Sequence, residues 1–159
     1  MKHWQPAGTV YGCLLNFQRE WDLWAPRMAQ DPYKGPPRAP VLYVKSANTF
    51  NPSGSLLLQD GVQEVDIGAT LSGMPSLSIM VQLNGQKVQT VHLSELVRPV
   101  DRLLADVGEF MSLQAGDVLM LGTDVLAQGQ RPRARAGDTV CLTVPGFAPW
   151  VQTVQGEAV

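Results

Sequence analysis

Charge, histidine and cysteine are all scarce in this chain, and each scarcity excludes something. Only 16% of its 159 residues are charged, the net charge is −2, and no basic run of the kind nucleic-acid binders carry is present. The densest basic cluster, Arg131, Arg133 and Arg135, is broken by Pro132 and reads as a solvated loop. The two histidines, His3 and His92, stand at no metal-ligand spacing from a cysteine. The two cysteines, Cys13 and Cys141, lie far apart in apolar runs, which suits free buried thiols better than a disulfide. No stretch approaches the ~18 apolar residues of a membrane span, and residues 1–17 lack the apolar core of a secretory signal. The expectation is a cytoplasmic protein with no membrane and no nucleic-acid partner. No serine sits in a nucleophile elbow, and no glycine cluster resembles a phosphate loop. Repeats, low-complexity tracts and a long linker are also missing, while 45% hydrophobic residues suffice for one core.

What is present is mostly β pattern. Strands are expected over residues 8–17, 41–45, 56–58, 62–67, 118–121, 139–144 and 150–154. Asn84-Gly85 between the alternating runs 77–83 and 86–93 is a strong hairpin signal, because a type I′ turn needs positive φ at both central positions. Residues 18–29 form a short predicted helix with Trp21, Trp24 and Met28 on one face. A second predicted helix spans 94–112, capped by Ser94, with Val100, Leu103, Leu104, Val107 and Met111 on its apolar face and Pro99 near its start. Ala-Gly-Asp turns at 115–117 and 136–138 follow, and four of the twelve prolines make 31–40 an extended loop. The fold class is therefore α+β, a rolled mixed β-sheet dominated by strands, with two helices.

Two blocks carry a likeness to a known family. In residues 8–71, Gly8-Thr9-Val10-Tyr11, Leu15-Asn16-Phe17 and Leu42-Tyr43-Val44-Lys45-Ser46-Ala47-Asn48-Thr49 resemble family motifs of the form "GLNY" and "FxKxxNT". In residues 76–154, the helix, the Ala115-Gly116-Asp117 turn and the Gly122-Thr123-Asp124 loop resemble a helix, a "PGD"-like turn and a "GTP"-like loop, both prolines being absent. Together they resemble the fumarylacetoacetate hydrolase family, nearest the amino-terminal half, or separate subunit, of the decarboxylase/isomerases of 4-hydroxyphenylacetate breakdown. The family's long middle section should fall near Ser72 to Pro75 and is almost absent, so residues 1–159 read as one shortened domain.

The resemblance implies a divalent cation, Mg or Mn, held by a Glu-x-Glu pair and a middle-section aspartate. The favoured register puts Gly68 and Thr70 at the glutamate positions; a rival register uses Glu64 and Asp66. Neither supplies the third carboxylate, so no metal is expected in this chain. The family's His–Glu acid/base pair falls on Glu20 and Leu23, and Glu20 is expected as a solvated helix residue. Lys45, near the bound acid in active members, and Thr123, matching the substrate-contacting loop threonine, are the surviving candidate catalytic residues. Asn48 and Thr49 shape their loop. Three readings follow: a decarboxylase/isomerase degenerate at its metal site, a non-catalytic subunit pairing with an active homologue, or a relic. The expected assembly is a homo-oligomer or a complex with that active homologous subunit, with Trp21, Trp24 and the proline-rich loop as contributors.

Overall fold

The computed structural model describes residues 6–46 and 77–156, together with the backbone of 56–58 and 64–66. Along it one helix follows the first strand and a second separates a run of five strands from a run of four, so strands and helices do not alternate and the α+β class is met. The β structure is divided among three sheets. In the first, β1 (Val10–Leu14) lies between β2 (Val41–Lys45), antiparallel, and β7 (Val118–Met120), parallel. The second has the order β3 (Leu56–Leu58), β10 (Trp150–Gly156), β9 (Thr139–Thr143), β5 (Ser78–Leu83), β6 (Gln86–His92). The third pairs β4 (Glu64–Asp66) with β8 (Arg133–Arg135).

The β5–β6 hairpin forms as its sequence demands, with Asn84 at φ 51° and Gly85 at φ 78°. Both Ala-Gly-Asp turns form as well. Asp117 accepts hydrogen bonds from the backbone N–H of Thr9 at 2.7 Å and Gln114 at 2.8 Å, tying β7 to β1. Asp138 accepts from Arg135 N–H at 2.7 Å and from Asn84 Nδ2 at 2.8 Å, tying β9 to the hairpin tip.

The core brings Cys13 and Phe17 together with Ile79 and Val81 of β5, Val91 of β6, and Leu103 and Val107 of the second helix. At roughly 1.5–3 kcal/mol per fully buried large side chain, this shared cluster rather than any one sheet holds the described elements together. No helix among the described residues is long and apolar enough to cross a membrane.

Three expectations are corrected. The second helix, α2, runs Val100–Gly108 rather than 94–112, and Ser94 caps nothing: Leu93–Glu95 is a separate 3₁₀ turn and Pro99 is the N-cap. A proline disfavours helical backbone at the residue before it, so the helix begins beyond Pro99. Residues 96–98 are instead held by the Phe17–Leu96 bridge and by Asn16. Leu104 is 47% exposed, off the apolar face; Asp106 is the buried one, between Arg98 Nε at 3.1 Å and Arg102 Nε at 2.7 Å. Finally, the arginine cluster is no solvated loop. Pro132 and Ala134 are buried, and 133–135 is a strand whose backbone register pairs Arg135 with position 64 and Arg133 with position 66.

Candidate functional site

The site grows from the end of β1. Leu15 bends the chain in the left-handed region at φ 58°, a conformation costing a non-glycine residue on the order of 1–3 kcal/mol. The next residue, Asn16, is fully buried and clamps two neighbours: its Nδ2 donates to the carbonyls of Leu121 at 3.0 Å and Arg98 at 3.3 Å, and its Oδ1 accepts from Arg98 N–H at 3.0 Å. Gly122 passes so close to this bend that a Cβ there would lie 2.7 Å from the Cys13 carbonyl oxygen. The clamp thus fixes the 122–124 loop against the start of the first helix, α1 (Gln18–Met28).

Helix α1 is joined to that loop and its continuation by adjacent side chains. Glu20, 6% exposed, accepts from Leu15 N–H at 3.0 Å and from Arg131 Nη2 at 2.7 Å. Arg131 Nε donates to Thr123 Oγ1 at 2.9 Å. Arg19 Nη2 lies 2.8 Å from both Glu95 Oε2 and Asp124 Oδ2. Asp124 is buried, and that burial pushes its carboxyl above the ordinary range, against the Val125 N–H bond and the Arg19 charge. Its Oδ2 makes an ion pair with Arg19 without a well-aligned hydrogen bond, and the buried Gln89 side chain lies near enough to favour the ionised carboxylate, though among the described residues its Nε2 has no well-aligned acceptor. One turn on, Leu23 packs against Gly129, where a Cβ would meet it at 2.9 Å.

Between α1, the 31–37 loop and the strand ends lies a cavity of about 510 Å³. Leu14, Trp24, Met28, Tyr33, Pro37 and Val41 give it apolar walls, and Glu20 and Arg131 are its charged members. Tyr43 packs over Gly12, whose missing side chain makes room for the ring. Burial raises the Tyr43 phenol, opposed by the nearby Arg131 charge. Burial likewise pushes the Cys13 thiol up to about 11.

Thr123 therefore stands inside the cluster. Lys45 does not: it is exposed and pairs with Val10, at the opposite end of β1 from Leu14 and Gly122, roughly 13 Å away at ~3.3 Å per residue. Asn48, Thr49, Gly68, Thr70, His3 and the 72–75 junction lie outside the described residues. Glu20 is corrected from a solvated residue to a buried one, because Leu15 and Arg131 both need its oxygens. Its sequence context held no sign of this, since Arg131 is 111 residues away. Arg131, Tyr43, Asn16 and the Arg19–Asp124 pair went unrecognised for the same reason.

The described residues do not fit a divalent cation. They contain no group of three or more His, Cys, Asp or Glu side chains positioned to hold one. The cavity offers a single carboxylate, already bonded twice, with a guanidinium 2.7 Å from it, whereas Mg and Mn need several free oxygens.

Residues 71–155 match the fumarylacetoacetate (FAA) hydrolase C-terminal family. The chain is 24% identical to the 4-hydroxyphenylacetate degradation bifunctional isomerase/decarboxylase of Escherichia coli, over 94% of this chain and 48% of that protein. It thus spans about half the length of the curated relatives it matches. The alignment runs to 212 positions against 159 residues here, so at least 53 of those positions have no counterpart in this chain. Among solved structures, a fumarylacetoacetate hydrolase family protein from Yersinia pestis CO92 superposes with TM-score 0.65 at 13% identity, covering 94% of each chain. The 5-carboxymethyl-2-hydroxymuconate delta-isomerase of Mycobacterium smegmatis superposes with TM-score 0.58 at 17% identity, covering 97% of this chain and 81% of that one. These likenesses extend the family assignment to the fold.

Proposed function

The chain belongs to the fumarylacetoacetate hydrolase family, and from that premise we propose that it is a shortened, single-domain relative of the isomerase/decarboxylases of 4-hydroxyphenylacetate breakdown that has lost metal-dependent chemistry and kept a binding pocket. The reaction types in question are 5-oxopent-3-ene-1,2,5-tricarboxylate decarboxylation and 5-carboxymethyl-2-hydroxymuconate isomerisation. The observation that supports the reading is the state of Glu20. It occupies the position that the family resemblance assigns to the acid/base histidine, but both its oxygens are bound by donors within 3.0 Å. A general base must be able to reach the proton it takes, and this one is committed to Arg131 and Leu15. Thr123 in this reading positions Arg131. Lys45 takes part in catalysis only if a segment outside the described residues carries substrate to it.

The test is a titration of Mg or Mn into the full chain, followed by heat and by melting temperature, with turnover of both substrate types measured in parallel. A metal at about 100 times its dissociation constant stabilises by ~2.7 kcal/mol, some 5–10 °C for a chain of this size. No saturable shift and no turnover are expected. A shift abolished by Glu64→Ala with Asp66→Ala restores the enzyme reading. A second reading, a non-catalytic subunit that assembles with itself or with an active homologue in the cytoplasm, draws on the exposed apolar residues Val44 of the outer strand β2 (61%) and Trp150 and Val151 of β10 (44% and 53%). Sedimentation of the chain alone and co-expressed with an active homologue decides it; a monomer indifferent to the homologue removes this reading.

A further inference from the structure

The cavity carries a chemical preference of its own. A guanidinium has five N–H donors. Arg131 spends one on Thr123 and one on Glu20, and among the described residues the three others, including both on Nη1, have no partner. The two spent bonds hold the fork rigidly in the cavity wall. The groups Arg131 has to spare are all donors, while each Glu20 oxygen already accepts one N–H and keeps a second lone pair. The remaining wall is aliphatic and aromatic, and about 510 Å³ lies within the usual range for small-molecule sites.

We infer that this cavity binds a carboxylic acid with a flat apolar body, its carboxylate forked on the free edge of Arg131 and its body against Trp24, Tyr33 and Val41, with no metal between. The inference rests on the metal-free reading above. A forked carboxylate on guanidinium is strong because two charge-assisted bonds form in parallel. Glu20 works against it, placing a second negative charge on the same arginine, and this opposition gives the test its edge.

Benzoate, 2-naphthoate and the neutral benzamide are titrated calorimetrically into the full chain, in EDTA and then with Mn. One saturable site for benzoate in EDTA is expected, with 2-naphthoate tighter because more apolar surface leaves water, and benzamide at least tenfold weaker than benzoate. Gly35 lines the cavity, and a Cβ there meets nothing within 4 Å, so Gly35→Phe is expected to fill the space and abolish binding while the melting curve stays put. Arg131→Gln should weaken benzoate at least tenfold; if that variant does not fold, Arg131→Lys keeps the charge, loses the fork and should weaken benzoate likewise. Glu20→Gln should tighten benzoate severalfold and leave benzamide unchanged. Equal affinity for benzamide, or benzoate binding that survives Gly35→Phe, overturns the inference. An absence of benzoate binding with and without Mn overturns it alone, whereas binding that appears only with Mn overturns the metal-free reading as well.

Discussion

Replacing Glu20 by Ala tests whether the buried ion pair organises this site. Two groups lose their acceptor: the half-buried Leu15 N–H, and the Nη2 of Arg131, whose side chain is 29% exposed. A stranded backbone donor costs about 1–3 kcal/mol, and a hydrogen bond to a charged group contributes about 1.5–3 kcal/mol. Water reaching Arg131 takes the second figure to its lower end. Release of the strained Leu15 backbone returns a part of the loss. The net expectation is ~3 kcal/mol, or some 6–12 °C at 2–4 °C per kcal/mol for a chain of this size. Glu20→Gln keeps an acceptor for Leu15 and should lose only about half as much. Urea unfolding of Glu20→Ala, Arg131→Ala and the double variant, followed by circular dichroism, gives a cycle with an expected coupling of ~1–2 kcal/mol. A loss under ~0.5 kcal/mol with no coupling would return Glu20 to the solvated helix face and remove the observation on which the functional reading leans.

Three further outcomes are expected. Gly122→Ala combines a φ of 106° with a Cβ 2.7 Å from a backbone oxygen, so it should destabilise by more than ~2 kcal/mol in urea melts, while Gly137→Ala, strained at φ 90° but unobstructed, should cost less. Asn16→Ala removes acceptor and donors for three buried or half-buried backbone groups and should cost ~3 kcal/mol by thermal unfolding; a loss below ~1 kcal/mol would show the clamp to be incidental. The Cys13 thiol ionises near 9.0 when unfolded and near 11 when folded, so its contribution is whole below pH 9 and is lost as pH rises from 9 to 11, by ~2.7 kcal/mol at most. The stability of wild type relative to Cys13→Ala should therefore fall across that window, and iodoacetamide at pH 8 should leave Cys13 unlabelled in the native state.

Features readable in the sequence were local ones. Asn84-Gly85 and the two Ala-Gly-Asp turns dictate their own backbone, because the positive φ angles they need are open chiefly to those residue types. Strand positions follow from apolar runs, whereas the start of α2 lies beyond the Ser94 cap signal because Pro99 disfavours helical backbone at the residue before it. The site was legible only in its ends. Thr123 stood out by resemblance, and Glu20 was located but given the wrong environment. Burial of a helical glutamate depends on an arginine 111 residues away, and no periodicity announces such a partner. Likewise, Arg133-Ala134-Arg135 reads as hydrophilic until β4 is laid beside it in register.

The place of β1 between β2 and β7 has a bearing on how the chain is born. Its antiparallel partner follows within 35 residues, but its parallel partner begins at Val118, 108 positions after Val10. β2 is complete at Lys45, 73 residues before Val118, so at roughly 5–20 residues per second of synthesis the β1–β2 pair waits about 4–15 s with one edge of β1 bare. Through that interval the stretch Val10–Gly12, which later pairs with Val118–Met120, presents a bare strand edge to whatever other nascent chain is near. Ribosome-arrested chains ending before Val118 should therefore be captured by chaperones or aggregate, and chains long enough to expose Met120 should not.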